Sequence, residues 1–195
     1  MFFTLKTFSL LPPRMLDATF SINPESSRYF KKESEICYEY LPYFPTIDDE
    51  KIKWLSSMLM CAGGNPVSHK KRIKLLLRFF KQNFTYMSDM EVYGSDDYWE
   101  LPINFISNRG GDCDGYAFAF CCMAHHMGVN AGPAILKGNH MIVKAIVDGK
   151  DVFIDPVQSK YNVFINPNDI IKYSTTEIPS EEFLSNIKSR DSGKD

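Results

Sequence analysis

A chain of 195 residues with 44% hydrophobic content is long enough for one well-buried core and short for two. Its net charge of -2 and pI near 6.1 leave no bulk positive charge for nucleic acid, so any charge-driven binding has to be local. Five cysteines, Cys37, Cys61, Cys113, Cys121 and Cys122, cannot all pair, and their spacing fits no small disulfide framework, which favours a reducing compartment.

The first stretch, MFFTLKTFSLLPPRML, is apolar but has one early lysine and is interrupted by Pro12 and Pro13, so it reads as structural rather than as a signal peptide. No apolar run approaches the roughly 18 residues that span a bilayer, and the expected location is cytoplasmic, without a membrane partner. Pro12, Pro13, Pro24, Pro42 and Pro45 make residues 1–45 an extended, proline-rich arm. Residues 46–173 form the expected catalytic domain and 174–195 a polar tail, in which 181–188 add at most a helical turn or two.

Within the domain, Thr46 is placed to cap a helix that carries Ile52, Leu55 and Leu59 on one face and ends at Gly63, Gly64 and Pro66. Ser68 opens a second helix. There Ile73, Leu76, Leu77 and Phe80 share a face, while Lys70, Lys71, Lys74, Arg78 and Lys81 lie elsewhere and read as a solvated surface before they read as an anion site. The segment TYMSDMEVYGSDDYWELP, with Tyr93, Tyr98 and Trp99, is expected to be a long loop forming a cleft wall. Pro102 suits the first turn of a short helix, INFIS. A helix apolar nearly all round follows from Cys113 to Met127, with Gly128 at its C′ position, and such a helix is buried. The texture then turns to β: NAGPAILK, HMIVKAIV and KDVFIDPV, the last two joined by Asp148 and Gly149, a strong hairpin signal.

Chemistry concentrates in RGGDCDGYA. A thiol in the first turn of a helix feels unpaired N–H groups and the positive end of the dipole, and the thiolate is the nucleophile. If Asp148 and Gly149 form a two-residue turn, Val147 faces Lys150 and Ile142 faces Asp155, so His140 and Asp155 share a sheet face as diagonal neighbours. A carboxylate there can hold one imidazole nitrogen while the other faces Cys113, the division of labour of nucleophile, base and orienter. His125 and His126 lie on the same helix as Cys113 but about 18 to 20 Å along it, too far to serve it. His69 has no acid to orient it and reads as surface. Cys121 with His125, or Cys122 with His126, is each half a metal site, so no metal is assigned to them. The bland alternative for Cys113, a buried small residue, is weakened by its helix-start position and by the His140 and Asp155 geometry.

The ordered motifs Trp99, Pro102, GGDCDGYA, NHMIVKAIV and VFIDP resemble the bacterial transglutaminase-like cysteine peptidases, a branch of the papain-fold transglutaminase superfamily; FFKQNFTYMSD resembles that family's lead-in. The likeness runs from Lys81 to Val157. It implies an α+β, papain-like core with the nucleophile at a helix N-terminus packed on an antiparallel sheet. It places the family's nucleophile on Cys113, its base on His140, its acid on Asp155, and its upstream tryptophan on Trp99, as an oxyanion-side or cleft-packing residue. The activity implied is a cysteine peptidase on protein or peptide amides, with transglutaminase, deamidase, idle binding module and scaffold as alternatives. No cofactor is required by this chemistry. Some relatives bind calcium around the nucleophile, but Gly115 stands where they carry a further acid, which weakens the expectation here. The two aspartates beside Cys113 disfavour a thiolate, so cationic His140 or a bound cation has to offset them.

Overall fold

The structure is a computed structural model that describes residues 30–31, 50–94 and 96–173. The rest of the arm with Cys37, the expected cap at Thr46 and the tail from 174, including the turns expected at 181–188, lie outside the described residues.

β1 (Phe30–Lys31) precedes two helices, α1 (Glu50–Ala62) and α2 (His69–Asn83). α1 buries Ile52, Leu55 and Leu59, and Gly64 in a left-handed conformation (φ 74°) turns the chain after it. α2 buries the expected stripe, extended by Leu75 and Phe79, and leaves Lys70, Lys71, Lys74, Arg78 and Lys81 in solvent. Lys70 and Lys74 lie over the Tyr161 ring, 5.7 and 5.9 Å from its centroid, which gives part of that charge an aromatic neighbour.

The segment expected to be a loop is instead β2 (Thr85–Tyr86), α3 (Asp89–Tyr93) and β3 (Tyr98–Trp99). The local reason is a capping box. Ser88 Oγ accepts the Glu91 N–H at 3.3 Å, Glu91 Oε2 accepts the Ser88 N–H at 2.8 Å, and Gly94 (φ 67°) ends the helix. β3 pairs antiparallel with β1, Trp99 opposite Phe30, so part of the arm runs beside the tryptophan strand.

α4 (Pro102–Asn108) starts at its proline as expected, and β4 (Gly110–Gly111) pairs parallel with β2, Thr85 opposite Gly110 and Tyr86 opposite Gly111. A Cβ at Gly110 would collide with the Thr85 carbonyl oxygen, so this strand contact requires glycine. α5 (Cys113–His126) is buried from Asp114 through Ala124 and gives way to Gly128 at φ 70°.

The chain then forms β5 (Ala131–Leu136), β6 (His140–Val147), β7 (Lys150–Asp155), β8 (Lys160–Tyr161) and β9 (Ile170–Tyr173), a five-stranded antiparallel sheet in the order β8-β7-β6-β5-β9. Asp148 (φ 52°) and Gly149 (φ 75°) make the two-residue turn, and the register from Val147 opposite Lys150 to Val143 opposite Ile154 is the one expected. β8 and β9 are short strands with no apolar alternation, and no hydrophobic pattern announces them.

The fold is α+β, with α5 packed on β5 and β6 on one side and on α1, α2 and α4 elsewhere. Aromatic rings join those layers: Phe80 meets Phe84, Phe105, Tyr116 and Phe120 at centroid distances between 4.9 and 6.0 Å. Because Phe80 is fully buried, Phe80→Ala is expected to cost about 3 to 5 kcal/mol of unfolding free energy. Urea denaturation checks this, and a loss near zero would mean that the ring cluster does not join the layers. Among the described residues no helix is long and apolar enough to cross a membrane.

Candidate active site

The sheet's central strand, β6, begins at His140 because a tight turn precedes it: Gly138 (φ 85°) and Asn139 (φ 59°) reverse the chain between Leu136 and its partner His140. β7 ends at Asp155. The Asp155 Oδ2 atom lies 3.1 Å from His140 Nε2, and Oδ1 accepts the Gln158 N–H at 3.0 Å. With Nε2 held by the carboxylate, Nδ1 is left for the sulfur of Cys113, which opens α5 against this end of the sheet. The Cys113 thiol also reaches the Asn139 carbonyl oxygen at 3.8 Å. A cavity of about 160 Å³ is lined by Trp99, Asp112, Cys113, Asn139, His140 and Met141 among others. Cys113, His140, Asp155 and Trp99 are thus brought to one place.

The electrostatics favour charge on the imidazole. Its hydrogen bond to Asp155, then its contact with Cys113, raise the His140 pKa to about 10 against the opposing effect of burial. Burial pushes Asp155 up, but the His140 hydrogen bond and the Gln158 and Val157 N–H groups outweigh it and hold the carboxyl below its ordinary value. The helix end contributes less than its position suggests. Asp112 caps α5 and takes the N–H groups of Asp114 (3.0 Å) and Gly115 (3.5 Å), so those amides are not free to serve the sulfur.

Trp99 is 1% exposed and its ring meets Phe118 edge-on at 5.5 Å while also lining the cavity. His69 stands at the start of α2, and His125 and His126 at the far end of α5, none with the sulfur. Cys121 and Cys122 are fully buried, and burial raises the Cys121 thiol well above its ordinary pKa.

Two residues of the site have no counterpart in the sequence reading. Asp89, which falls in the segment expected to be a loop, is buried at the start of α3, where it accepts the Tyr98 N–H at 2.6 Å. It joins Asp112 and Asp114 in a group in which one carboxylate oxygen from each residue lies within 4.8 Å of the other two, so that the three could hold a metal ion. Burial first, then Asp112, raises Asp114 well above the usual carboxylate range, and its Oδ1 atom is buried without a hydrogen-bond partner. The second residue is Glu100, 1% exposed and next to the helix start. Sequence spacing carries no signal for either; the capping box at Ser88 locates Asp89 on a helix but not beside Cys113.

This is an α+β domain with a cysteine at a helix start facing a histidine and a carboxylate on a sheet. No protein-family model matches the chain, and no curated protein matches it. Solved structures do. A candidate cysteine protease from Cytophaga hutchinsonii is similar at 14% identity over 74% of this chain and 48% of that one, with a TM-score of 0.46; this chain therefore spans about half that protein's length. LapG of Legionella pneumophila is similar at 23% identity over 72% of this chain and 93% of that one, TM-score 0.46. A TGase is similar at 15% identity over 91% of this chain and 43% of that one, TM-score 0.40.

Proposed function

We propose that the chain is a cysteine peptidase, a thiol hydrolase of protein or peptide amide bonds, with Cys113 as nucleophile, His140 as base and Asp155 as the acid that orients it. The observation that carries this reading is the pairing of His140 Nε2 with Asp155 Oδ2 at 3.1 Å, which leaves the other nitrogen for Cys113 inside a cavity. His140 takes the thiol proton, sulfur attacks the amide carbonyl carbon, and the tetrahedral intermediate collapses as the imidazolium protonates the leaving amine. Water then hydrolyses the thioester, activated by the same imidazole. The Cys113 N–H, at the first helical position and without an intrahelical acceptor, and the Trp99 indole are the candidate oxyanion donors. Transfer of the acyl group to a lysine amine uses the same three residues and is the alternative reading.

Asp89, Asp112 and Asp114 fit a hard divalent cation such as calcium, because all three offer carboxylate oxygen and Asp114 Oδ1 has no other partner. Such an ion would neutralise the acidic surroundings of the sulfur. Calcium is expected to raise the melting temperature by a few degrees at millimolar concentration, and Asp114→Asn to abolish the shift. A midpoint indifferent to both calcium and EDTA would remove this ion from the reading.

The function is tested by treating a proteome with the wild type and with Cys113→Ala and searching by mass spectrometry for new chain termini. New termini made only by the wild type support a peptidase. Isopeptide cross-links or glutamine deamidation without new termini would replace it with the acyl-transfer reading.

A further inference from the structure

Glu100 follows β3 directly, and its carboxyl group is buried beneath the turn that carries the nucleophile. Its two oxygens have different surroundings. Oε2 accepts the Tyr93 hydroxyl at 2.6 Å, and Tyr93 in turn accepts the Asn108 amide at 2.9 Å, so the far oxygen is anchored to α3 and α4. Oε1 has no hydrogen-bond partner and is directed at Gly111 and Gly115. A Cβ at either glycine would overlap Oε1, and the Glu100 carboxyl carbon would lie 3.1 Å from the one and 3.0 Å from the other. These two glycines bracket Asp112, Cys113 and Asp114. The Hα atoms that other residues would replace with a side chain therefore face a carboxyl oxygen, as weak C–H donors.

We propose that Glu100 is a positioning residue for Cys113: its carboxyl, anchored through Tyr93, seats in the space left by Gly111 and Gly115 and thereby sets where the backbone of the nucleophile turn enters α5. The inference rests on the reading of Cys113 as the nucleophile and adds a device behind it. It also gives the two glycines a reason. Gly115 lies in a helix at an ordinary backbone conformation, where alanine would be the better helix former; a Cβ there would overlap the Glu100 carboxyl first and would also stand 3.0 Å from the buried Phe105 ring. Burial raises the Glu100 pKa to about 8, so near neutrality the group sits there mainly as a neutral acid, which suits a site among Asp89 and Asp112.

The test uses the full chain and reads the rate of Cys113 alkylation by iodoacetamide, with the exposed Cys61 thiol as internal reference. Glu100→Ala and Gly115→Ala are each expected to slow Cys113 by about tenfold or more, because a sub-ångström displacement of a reacting atom is costly, while the Cys61 rate stays constant. Glu100→Gln, which keeps the shape and the acceptor for Tyr93, restores most of what Glu100→Ala loses. The double variant Glu100→Ala/Gly115→Ala recovers part of the Gly115→Ala loss, since the closer overlap is gone and only the 3.0 Å approach to Phe105 remains. Gly115→Ala also lowers the thermal midpoint by more in the Glu100 background than in the Glu100→Ala background, which reads the same contact if one variant is poorly reactive. Fast Cys113 labelling unchanged by Glu100→Ala, or a Gly115→Ala effect indifferent to residue 100, overturns the positioning role and leaves the nucleophile in place. Wild type that labels Cys113 no faster than Cys61 overturns the nucleophile reading and the positioning role with it.

Discussion

Under the proposed mechanism Cys113→Ala is expected to lower peptidase turnover by on the order of 10⁴-fold or more, with substrate binding little changed, because the residue removed is the one proposed to form the covalent intermediate on which every later step depends. A loss of that size corresponds to about 5.5 kcal/mol of transition-state stabilisation. The remaining cysteines offer no bypass among the described residues. Cys121 and Cys122 are fully buried, and Cys61 is exposed on α1, apart from the residues that line the cavity. Steady-state kinetics on a peptide found in the proteome comparison give the number. Turnover that survives in Cys113→Ala would assign the chemistry to another residue.

His140→Ala has the next largest expected effect, and its pH dependence separates a catalytic role from a packing one. Activity at neutral pH should fall by about 10² to 10⁴-fold, the usual contribution of a positioned acid–base group. Stability should respond to pH as the His140–Asp155 pair dictates. His140 is raised from 6.5 to about 10 in the folded chain, so it binds its proton more tightly there than when unfolded; its contribution is complete below about pH 6.5 and is lost as pH climbs toward 10. Asp155 is held below its ordinary 3.8, so its contribution is present above that value and is lost as pH falls through the lower, folded pKa. The pair therefore contributes most between about pH 4 and 6.5. The side chain of His140 is 34% exposed, so solvent screening limits the difference between wild type and His140→Ala to ~1 kcal/mol at pH 6, shrinking toward pH 10. Urea titrations at the two pH values decide it. A constant difference would mean that the imidazole acts by packing alone.

The hairpin that presents His140 and Asp155 was readable from local chemistry. Asp148 and Gly149 tolerate positive φ, a two-residue turn leaves one register, and side chains alternate, so the shared face followed. The segment 85–102 agrees with the expected cleft wall, since Asp96, Asp97 and Trp99 line the cavity, but not with the expected loop, since a capping box at Ser88 and Glu91 starts a helix there. Its polar composition suggested a loop, whereas two short strands and a single helical turn draw their stability from the elements they touch.

By itself the sequence determined the buried helix starting at Cys113, the α+β order of elements and the register of the strands that face it, because each depends on contacts between near neighbours or on periodicity. Only the tertiary structure decided what surrounds the sulfur. The parallel pairing of Thr85–Tyr86 with Gly110–Gly111 brings Asp89 beside Asp112 and Asp114, and the close approach of β3 to α5 puts the Glu100 carboxyl against Gly111 and Gly115. Both are long-range contacts between short segments without an amphipathic pattern. Their cause lies in how preformed elements pack and which buried carboxyls that packing leaves without water, which no local spacing encodes.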